Sequence, residues 1–419
     1  MILDNIDIVK QRLYFKIAFV MYALFFTTEL SLKGNFTIIK LLIIAWGMAL
    51  ILLDIYNQKT RILKKFNILL NLFIMINILS LIIYPSKAYN LRIFLITLIQ
   101  LGVLNNSEIT QTPQNTLKEI RRINFNFVFI SFIISAISLY MFFTKTNLFG
   151  IAFNEASRPD LLKGLFIISN TGGMVSFLSL VISFLSIRST KFFSIFYGIN
   201  ILVQGSVLYL TRARASWVGL IVFIIVYGFI NIRSKSIRRV IIASLMILTI
   251  TFPIYKPYVM EPLNGFINKT AGQGFFSGRL NLWEEGYEKI FKKNPVLGVG
   301  YKDVVDIMKK DATRNLPGIE GGRLHNIYLE ITYSHGIIAA ILMILFFIVN
   351  GYSLYKTIFK IDIPKEYRNI MKFIFSMFIS LYVMSFVESS LLYVISVVSA
   401  IFWIYIGYSE YFIKKYKKF

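Results

Sequence analysis

The stretch LHNIYLEITYSHGIIAAILMILFFIVN (324–350) joins the longest polar segment of the chain to a long hydrophobic run. From Ile331 to Asn350 it carries no Lys, Arg, Asp or Glu, and it is long enough for a helix to cross a hydrocarbon core of ~30 Å. Similar apolar runs recur along the whole chain. The sequence therefore predicts an all-α polytopic membrane protein.

The composition supports this class of protein. Of the 419 residues, 56% are hydrophobic and only 16% are charged, whereas soluble proteins average about 25% charged residues. The formal net charge of +24 would suggest nucleic acid in a soluble chain. Here the basic residues fall mainly in short loops between apolar runs, which is typical of the charge bias that orients transmembrane spans. We therefore expect the lipid bilayer, and not nucleic acid, as a partner.

Hydrophobic periodicity and length predict about twelve spans. These are 13–28, 37–56, 66–84, 91–104, 123–143, 165–187, 192–210, 215–232, 240–256, 327–350, 370–387 and 391–409. The domain organisation follows from them: an N-terminal bundle of about nine spans (1–256), one long loop containing short helices (257–326), and C-terminal transmembrane helices (327–419).

The loops alternate in charge. Seven basic clusters lie on one predicted side of the membrane: Lys10/Arg12/Lys16, Lys59/Arg61/Lys64/Lys65, Lys118/Arg121/Arg122, Arg188/Lys191, Arg233/Lys235/Arg238/Arg239, Lys356/Lys360/Lys365/Arg368 and Lys414/Lys415/Lys417/Lys418. The positive-inside rule places this set and both termini in the cytoplasm. The first span reads as a retained anchor, since no small-residue cleavage site follows it. The long loop is then extracytoplasmic.

The long loop contains a short amphipathic helix. Its apolar residues recur at helical spacing: Leu280, Trp283, Tyr287, Ile290 and Phe291. Ser277 is a candidate cap, and Asn294-Pro295 ends the helix. The aromatic face suits either the headgroup layer or packing on the span bundle.

The predicted outer face carries several arginines, among them Arg212 and Arg214 between two spans and Arg279 at the start of the loop helix. Each is either an interfacial anchor or part of an anion site, because an arginine at membrane depth needs a cavity, a partner or an anion. A guanidinium pairs with phosphate oxygens through two parallel hydrogen bonds. The arginines therefore suggest a diphosphate clamp if they converge.

Both histidines of the chain, His325 and His335, lie in the stretch quoted first. The reference pKa of ~6.5 suits proton transfer near neutrality, so His325 is a candidate catalytic group, with interfacial hydrogen bonding as the alternative. His335 lies roughly 15 Å farther along a helix and reads as structural. No H-E-x-x-H pattern and no cysteine is present, so we expect no metal site and no cofactor.

Four segments together resemble the bacterial O-antigen ligases and Wzy-type polysaccharide polymerases. They are RPDLLKGLFIISNTGGMVSF (158–177), TRARASW (211–217), SGRLNLWEEGYEKIFKKNPVLGVGY (277–301) and LHNIYLEITYSHGIIAAIL (324–342). In the family an Arg-x-x-x-Trp helix leads to NPxxGxG, and a His-Asn pair opens the next span. The second segment resembles the family's Thr-x-Ser-Arg-x-x-Trp, with Ala213 in place of the serine.

The resemblance implies a GT-C-like fold and a metal-independent, inverting glycosyl transfer on the outer face of a bacterial plasma membrane. The donor would be an oligosaccharide on polyprenyl diphosphate, and the partners would be a glycan acceptor and other polysaccharide-assembly proteins. Carried onto this chain, the catalytic residues are Arg214, Arg279 and His325. Candidate substrate-binding residues are Arg158, Asn170, Arg212, Glu320 and Asn326. Glu320 and Glu330 are close to His325 in sequence and could act as a base or an orienting group, but we favour solvated charges for both. Arg323 and Lys292/Lys293 are interpreted as headgroup contacts.

Several alternatives stay open at this point. A polymerase and an O-antigen ligase differ only in the acceptor, which is a second lipid-linked repeat unit or lipid A core. The Ile-, Lys- and Asn-rich composition is typical of AT-rich genomes, many of them from single-membrane bacteria without such a core, and this favours a capsule or surface-polysaccharide polymerase. A flippase predicts more charges deep inside the spans, and an intramembrane acyltransferase would use His325 or His335.

Overall fold

The chain folds into a bundle of long helices in a computed structural model. The structure describes residues 7–56, 68–84, 87–107, 111–156, 158–187, 191–232, 279–310, 323–359 and 363–416, with short pieces between 234 and 251 and single residues between 312 and 319. Its helices are α1 (Ile8–Phe25), α2 (Thr37–Tyr56), α3 (Ile68–Ile83), α4 (Lys87–Ile99), α5 (Pro113–Thr144), α6 (Ser169–Ser186), α7 (Lys191–Thr211), α8 (Arg214–Asn231), α9 (Arg279–Gly286), α10 (Asp303–Lys309), α11 (Ile327–Ile358), α12 (Lys365–Met384) and α13 (Val397–Tyr416). Short π-helical turns, Gln100–Leu104 and Tyr287–Phe291, follow α4 and α9.

Six of the described helices are long and apolar enough to cross a membrane: α2, α5, α6, α7, α8 and α11. α3 and residues 88–104 are apolar but shorter. The polytopic membrane class is confirmed. Helices occupy the other predicted spans as well, except that span 240–256 lies largely outside the described residues. The count of twelve spans stays a prediction.

A small β-hairpin departs from the all-α expectation. β1 (Asn154–Glu155) pairs antiparallel with β2 (Arg158–Leu162) in the connection between α5 and α6. The N–H of Glu29 donates to the carbonyl of Leu165 at 2.8 Å, and this anchors the connection to the end of α1. The strands are too short and irregular to show the alternation that marks a strand in sequence.

Buried polar side chains hold α5, α6 and α7 together. The amide of Asn200 on α7 donates to the hydroxyls of Ser179 (3.0 Å) and Ser183 (2.8 Å) on α6. Ser135 on α5 donates to the side-chain oxygen of Gln204 at 3.0 Å. Small and polar residues of this kind let membrane helices approach closely and bond across their interface. They keep the ends of α6 and α7 in register.

The basic cluster at the start of the chain is not a loop. Arg12 and Lys16 lie within α1 and are buried. Arg12 forms an ion pair with Asp54 of α2, and the ammonium of Lys16 donates to the carbonyl of Asn106 at 2.5 Å. Ionisable groups at this depth are tolerated when they find such partners. The pairs therefore join α1 to its neighbours as well as adding positive charge at this end.

α11 is broken at Gly336, where φ is 85° and ψ is 171°. The segment 295–300, which follows the loop helix, fills the break with its backbone. The N–H groups of Val299 and Gly300 donate to the carbonyls of Tyr333 (3.0 Å) and Ser334 (2.9 Å), respectively. In the other direction, the N–H of Ile337 donates to the carbonyl of Pro295 at 2.8 Å. The backbone groups freed by the break are thus satisfied inside the protein, as an apolar environment requires.

Replacing Gly336 with alanine should destabilise the protein by at least about 2 kcal/mol, because positive φ is strained for an L residue. A Cβ there would also lie 1.7 Å from the carbonyl oxygen of Val296. Thermal unfolding of the purified protein measures the effect. The control is Gly351→Ala in the same helix, where a Cβ meets nothing within 4 Å. We expect it to be neutral or stabilising, and an equal effect of both variants would contradict the break.

Candidate active site

Arg158, Asn170, Arg214 and Arg279 line one cavity of about 130 Å³. They come from four elements: the first residue of β2, the first turn of α6, and the first residues of α8 and α9. Glu388, in the connection between α12 and α13, also lines the cavity. Groups that are far apart in the chain therefore converge at one end of the bundle.

A close helix approach positions Arg214. Ala213 is buried just before α8 and packs on Gly173 of α6 so tightly that a Cβ on this glycine would lie 2.1 Å from the Cβ of Ala213. This contact places the first turn of α8 against the first turn of α6, which carries Asn170. The residue that departs from the family pattern, Ala213, thus makes the contact that sets the spacing of the two helices.

Arg279 is held by the connection between α12 and α13. One guanidinium nitrogen donates to the carbonyl of Val387, and the other lies 3.1 Å from a carboxylate oxygen of Glu388. Only 16% of the Arg279 side chain and 8% of the Glu388 side chain are exposed. Such shielding from water strengthens a charge pair compared with one on the surface.

His325 does not line the cavity itself but contacts the same carboxylate. Its Nδ1 lies 3.5 Å from the second oxygen of Glu388, and its backbone has a φ of 53°. Burial alone would raise the pKa of Glu388, yet the hydrogen bond from His325 and the charge of Arg279 hold that pKa below its ordinary value. Glu388 is therefore an anion shared by two of the three predicted catalytic residues.

The electrostatic balance of the cavity is positive. Among the described residues that line it, three are arginines, Arg158, Arg214 and Arg279, and one, Glu388, is an acid. Clustered guanidinium groups in a site partly shielded from water favour an anion with several oxygens. A phosphate or diphosphate has this chemistry.

Other predicted substrate-binding residues lie elsewhere. Arg212 forms a half-exposed ion pair with Asp160, at 2.9 Å. Asn326 caps α11, since its side-chain oxygen accepts from the N–H groups of the second and third residues beyond it. Glu320 lies outside the described residues, as does the predicted cap Ser277. His335 is buried in α11, with its ring 5.4 Å from that of Tyr393.

A second polar cluster, formed by Tyr301, Glu330 and Arg323, lies close to Glu388. The interpretation of Glu330 as a solvated charge and of Arg323 as a headgroup contact is wrong, because Glu330 is buried and Arg323 is half-buried among partners inside the protein. Glu330 is buried and accepts a hydrogen bond from the hydroxyl of Tyr301 at 2.7 Å. Arg323 donates to the carbonyl of Ser389 and lies 3.4 Å from the Tyr301 hydroxyl. Burial would lower the pKa of Arg323, but the negative potential of Tyr301 and Glu330 raises it. The guanidinium therefore keeps its charge.

Two arginines thus donate hydrogen bonds to the backbone on either side of Glu388: Arg279 to the carbonyl of Val387 and Arg323 to the carbonyl of Ser389. This arrangement fixes where the carboxylate points. Sequence reasoning assigned no role to Glu388, although it is the only acidic residue between Tyr367 and Ser409. A lone acid in such apolar surroundings is itself a signal of function.

Residues 199–344 match the family model of the O-antigen ligases. This match confirms the family resemblance of the chain and implies a glycosyl-transfer enzyme of the ligase or polymerase type, in a multi-pass membrane protein. It contains Arg214, Arg279 and His325, whereas Arg158, Asn170 and Glu388 lie beyond its ends. No curated protein matches the chain in a sequence search.

Glu388→Gln should lower glycosyl-transfer activity by about 100-fold, within the range attributed to general acid–base catalysis. The amide keeps the shape of the carboxylate but cannot carry its charge beside Arg279 and His325. Activity is measured as glycan product per amount of enzyme in membranes. The control is Glu288→Gln, which removes an acid from an exposed pair with Lys292 and should be near normal. Near-normal activity of Glu388→Gln would contradict a functional role for this carboxylate.

Proposed function

We propose that the protein transfers a glycan from polyprenyl diphosphate to a hydroxyl group of an acceptor at the cavity of Arg158, Arg214 and Arg279. The observation that carries the proposal is the convergence of these three arginines with the His325–Glu388 pair beside them. The family match of residues 199–344 supports the same reaction class.

The arginines are suited to the leaving group. When the bond between the anomeric carbon and the diphosphate breaks, negative charge grows on the departing phosphate oxygens. Preorganised guanidinium groups stabilise such charge as it develops. Arg279 is already fixed by Val387 and Glu388, so little reorganisation is needed during the reaction. The clamp supplies the charge that a metal ion supplies in other diphosphate sites, which is why we propose a metal-independent transfer.

His325 is suited to receive the proton of the acceptor hydroxyl. A carboxylate near Nδ1 favours the tautomer in which this nitrogen carries the hydrogen and Nε2 has a free lone pair. Nε2 then accepts the proton as the hydroxyl oxygen attacks the anomeric carbon, and Glu388 stabilises the imidazolium that forms. Attack opposite the leaving diphosphate inverts the anomeric configuration. The products are the extended glycan and polyprenyl diphosphate.

An apolar groove next to the site suits the lipid part of the donor. The groove has a volume of about 500 Å³ and runs between α11 and α12, with aromatic rings from Tyr328 and Phe386 to Tyr355 and Phe375 along its walls. Tyr328 lies three residues after His325, and Phe386 lies two residues before Glu388. A prenyl chain lying in this groove would carry its diphosphate to the arginine cavity.

The proposed topology places this site on the outer face. The cavity lies at the beginnings of α6 and α8 and beyond the end of α12, which the charge pattern assigns to the extracytoplasmic side. We propose twelve spans in a GT-C-like arrangement, with both termini in the cytoplasm and the chain divided at residues 256 and 326.

We favour a surface-polysaccharide polymerase, in which the acceptor is a second lipid-linked repeat unit. The AT-rich type of composition supports it, because many single-membrane bacteria lack the lipid A core that a ligase uses. The alternative is an O-antigen ligase, and the description of the matched family supports this second candidate.

Arg214→Ala, Arg279→Ala and His325→Ala should each abolish the long-chain glycan when variants are compared at equal amounts of protein in the membrane. The first two remove charge from the leaving-group clamp, and the third removes the proton acceptor. Glycan length on gels of cell-surface polysaccharide measures the effect. Arg212→Ala is the matched control, since Arg212 pairs with Asp160 and does not line the cavity. Normal polymer in Arg214→Ala, Arg279→Ala or His325→Ala would remove that residue from the mechanism.

Incubation of the purified protein with a lipid-linked repeat unit distinguishes the two acceptors. A polymerase should lengthen the glycan with no other acceptor present. A ligase should form product only when lipid A core is added. Transfer to lipid A core alone would contradict our preference for a polymerase and leave the clamp intact.

A further inference from the structure

A second cavity, of about 800 Å³, lies at the opposite end of the helices that form the arginine cavity. α6 lines the first cavity with Asn170 and the second with Phe184, about 21 Å apart along the helix. α8 does the same with Arg214 and Tyr227. The second cavity therefore has no part in the proposed glycosyl transfer.

The walls of this cavity have two distinct chemistries. Aromatic side chains form its apolar part, and two of them, Phe184 and Phe193, are 47% and 37% exposed. Arg121 and Arg122, in the third turn of α5, form its basic part. Apolar rings that remain exposed between helices have room for acyl chains, and both arginines are exposed beside them.

The charge of the cavity is positive overall. Its lining contains Arg121, Arg122 and one acid, Glu366. Arg121 pairs with Glu366 at 2.7 Å, but both side chains are more than half exposed, so the pair is weak and can exchange for another anion. Lys118 lies one turn before Arg122 on α5. The charge bias of the loops assigns this end of the bundle to the cytoplasmic side.

We propose that this cavity binds an anionic phospholipid of the cytoplasmic leaflet. Its phosphate lies on Arg122 and Arg121, and its acyl chains lie against Phe184 and Phe193. Basic pockets between membrane helices on the cytoplasmic side recognise acidic headgroups in this way. The lipid fills the space between α5, α6, α7, α8 and α12 and joins their ends, far from the reacting groups.

Native mass spectrometry of the purified full-length protein tests this assignment. The probes are phosphatidylglycerol and phosphatidylcholine with identical acyl chains, added in equal amounts. We expect the association constant for the first bound lipid molecule to be larger for phosphatidylglycerol than for phosphatidylcholine. Arg122→Gln should reduce the phosphatidylglycerol association constant about fivefold, the effect of one basic residue near an anionic lipid surface. Phe184→Ala should weaken both lipids alike.

Arg239→Gln is the control, because Arg239 is an exposed arginine of the same predicted side that does not line the cavity. It should change the constant less than twofold. Equal binding of the two lipids, or an Arg122→Gln constant equal to that of the unaltered protein, would overturn the proposal. The thermal unfolding midpoint of each variant is measured without added lipid. A midpoint equal to that of the unaltered protein shows that a lost preference for phosphatidylglycerol does not come from unfolding.

Discussion

The geometry of the candidate site depends on one buried carboxylate. Glu388 pairs with Arg279 and lies within reach of His325, so it joins the loop helix, the start of α11 and the connection after α12. Removing one partner from such a buried pair typically costs about 3–5 kcal/mol, since the other charge is left without compensation. The carboxylate therefore has a structural as well as an electrostatic role. It contacts a guanidinium that lines the cavity and, on its other oxygen, the imidazole of His325.

A second constraint brings these elements together. The break of α11 at Gly336 opens its backbone to the segment 295–300, which connects the loop helix to the bundle. Gly298 has a φ of 66°, and a Cβ there would lie 2.5 Å from the carbonyl oxygen of Tyr333. The Asn-Pro-x-x-Gly-x-Gly pattern thus lets the backbone of this segment pack directly against the backbone of α11. It determines the placement of Arg279 relative to His325, because the two lie on opposite sides of the docked segment in the chain.

Much of this architecture can be predicted from the sequence, for physical reasons that differ between residues. Apolar periodicity locates most helices, and the cost of arginine at membrane depth points to Arg214 and Arg279. The structure places both at one cavity, together with Arg158 and Asn170. A lone acid among apolar residues marks Glu388 as a candidate, but its partners Arg279 and His325 lie 109 and 63 residues earlier in the chain, so residue spacing does not show the pairing. Glu330 looks like a solvated helix face in sequence, and only the docking of Tyr301 from another segment reveals its burial. The β-hairpin and the break at Gly336 depend on backbone contacts that residue spacing does not encode.

The most direct test of the central claim is a cryo-electron microscopy structure of the protein with a polyprenyl-diphosphate-linked oligosaccharide. We expect diphosphate density within hydrogen-bonding distance of Arg214 and Arg279, with the first sugar next to the Nε2 of His325. Diphosphate density at a different place in the bundle, or a first sugar beyond reach of this histidine, would contradict it.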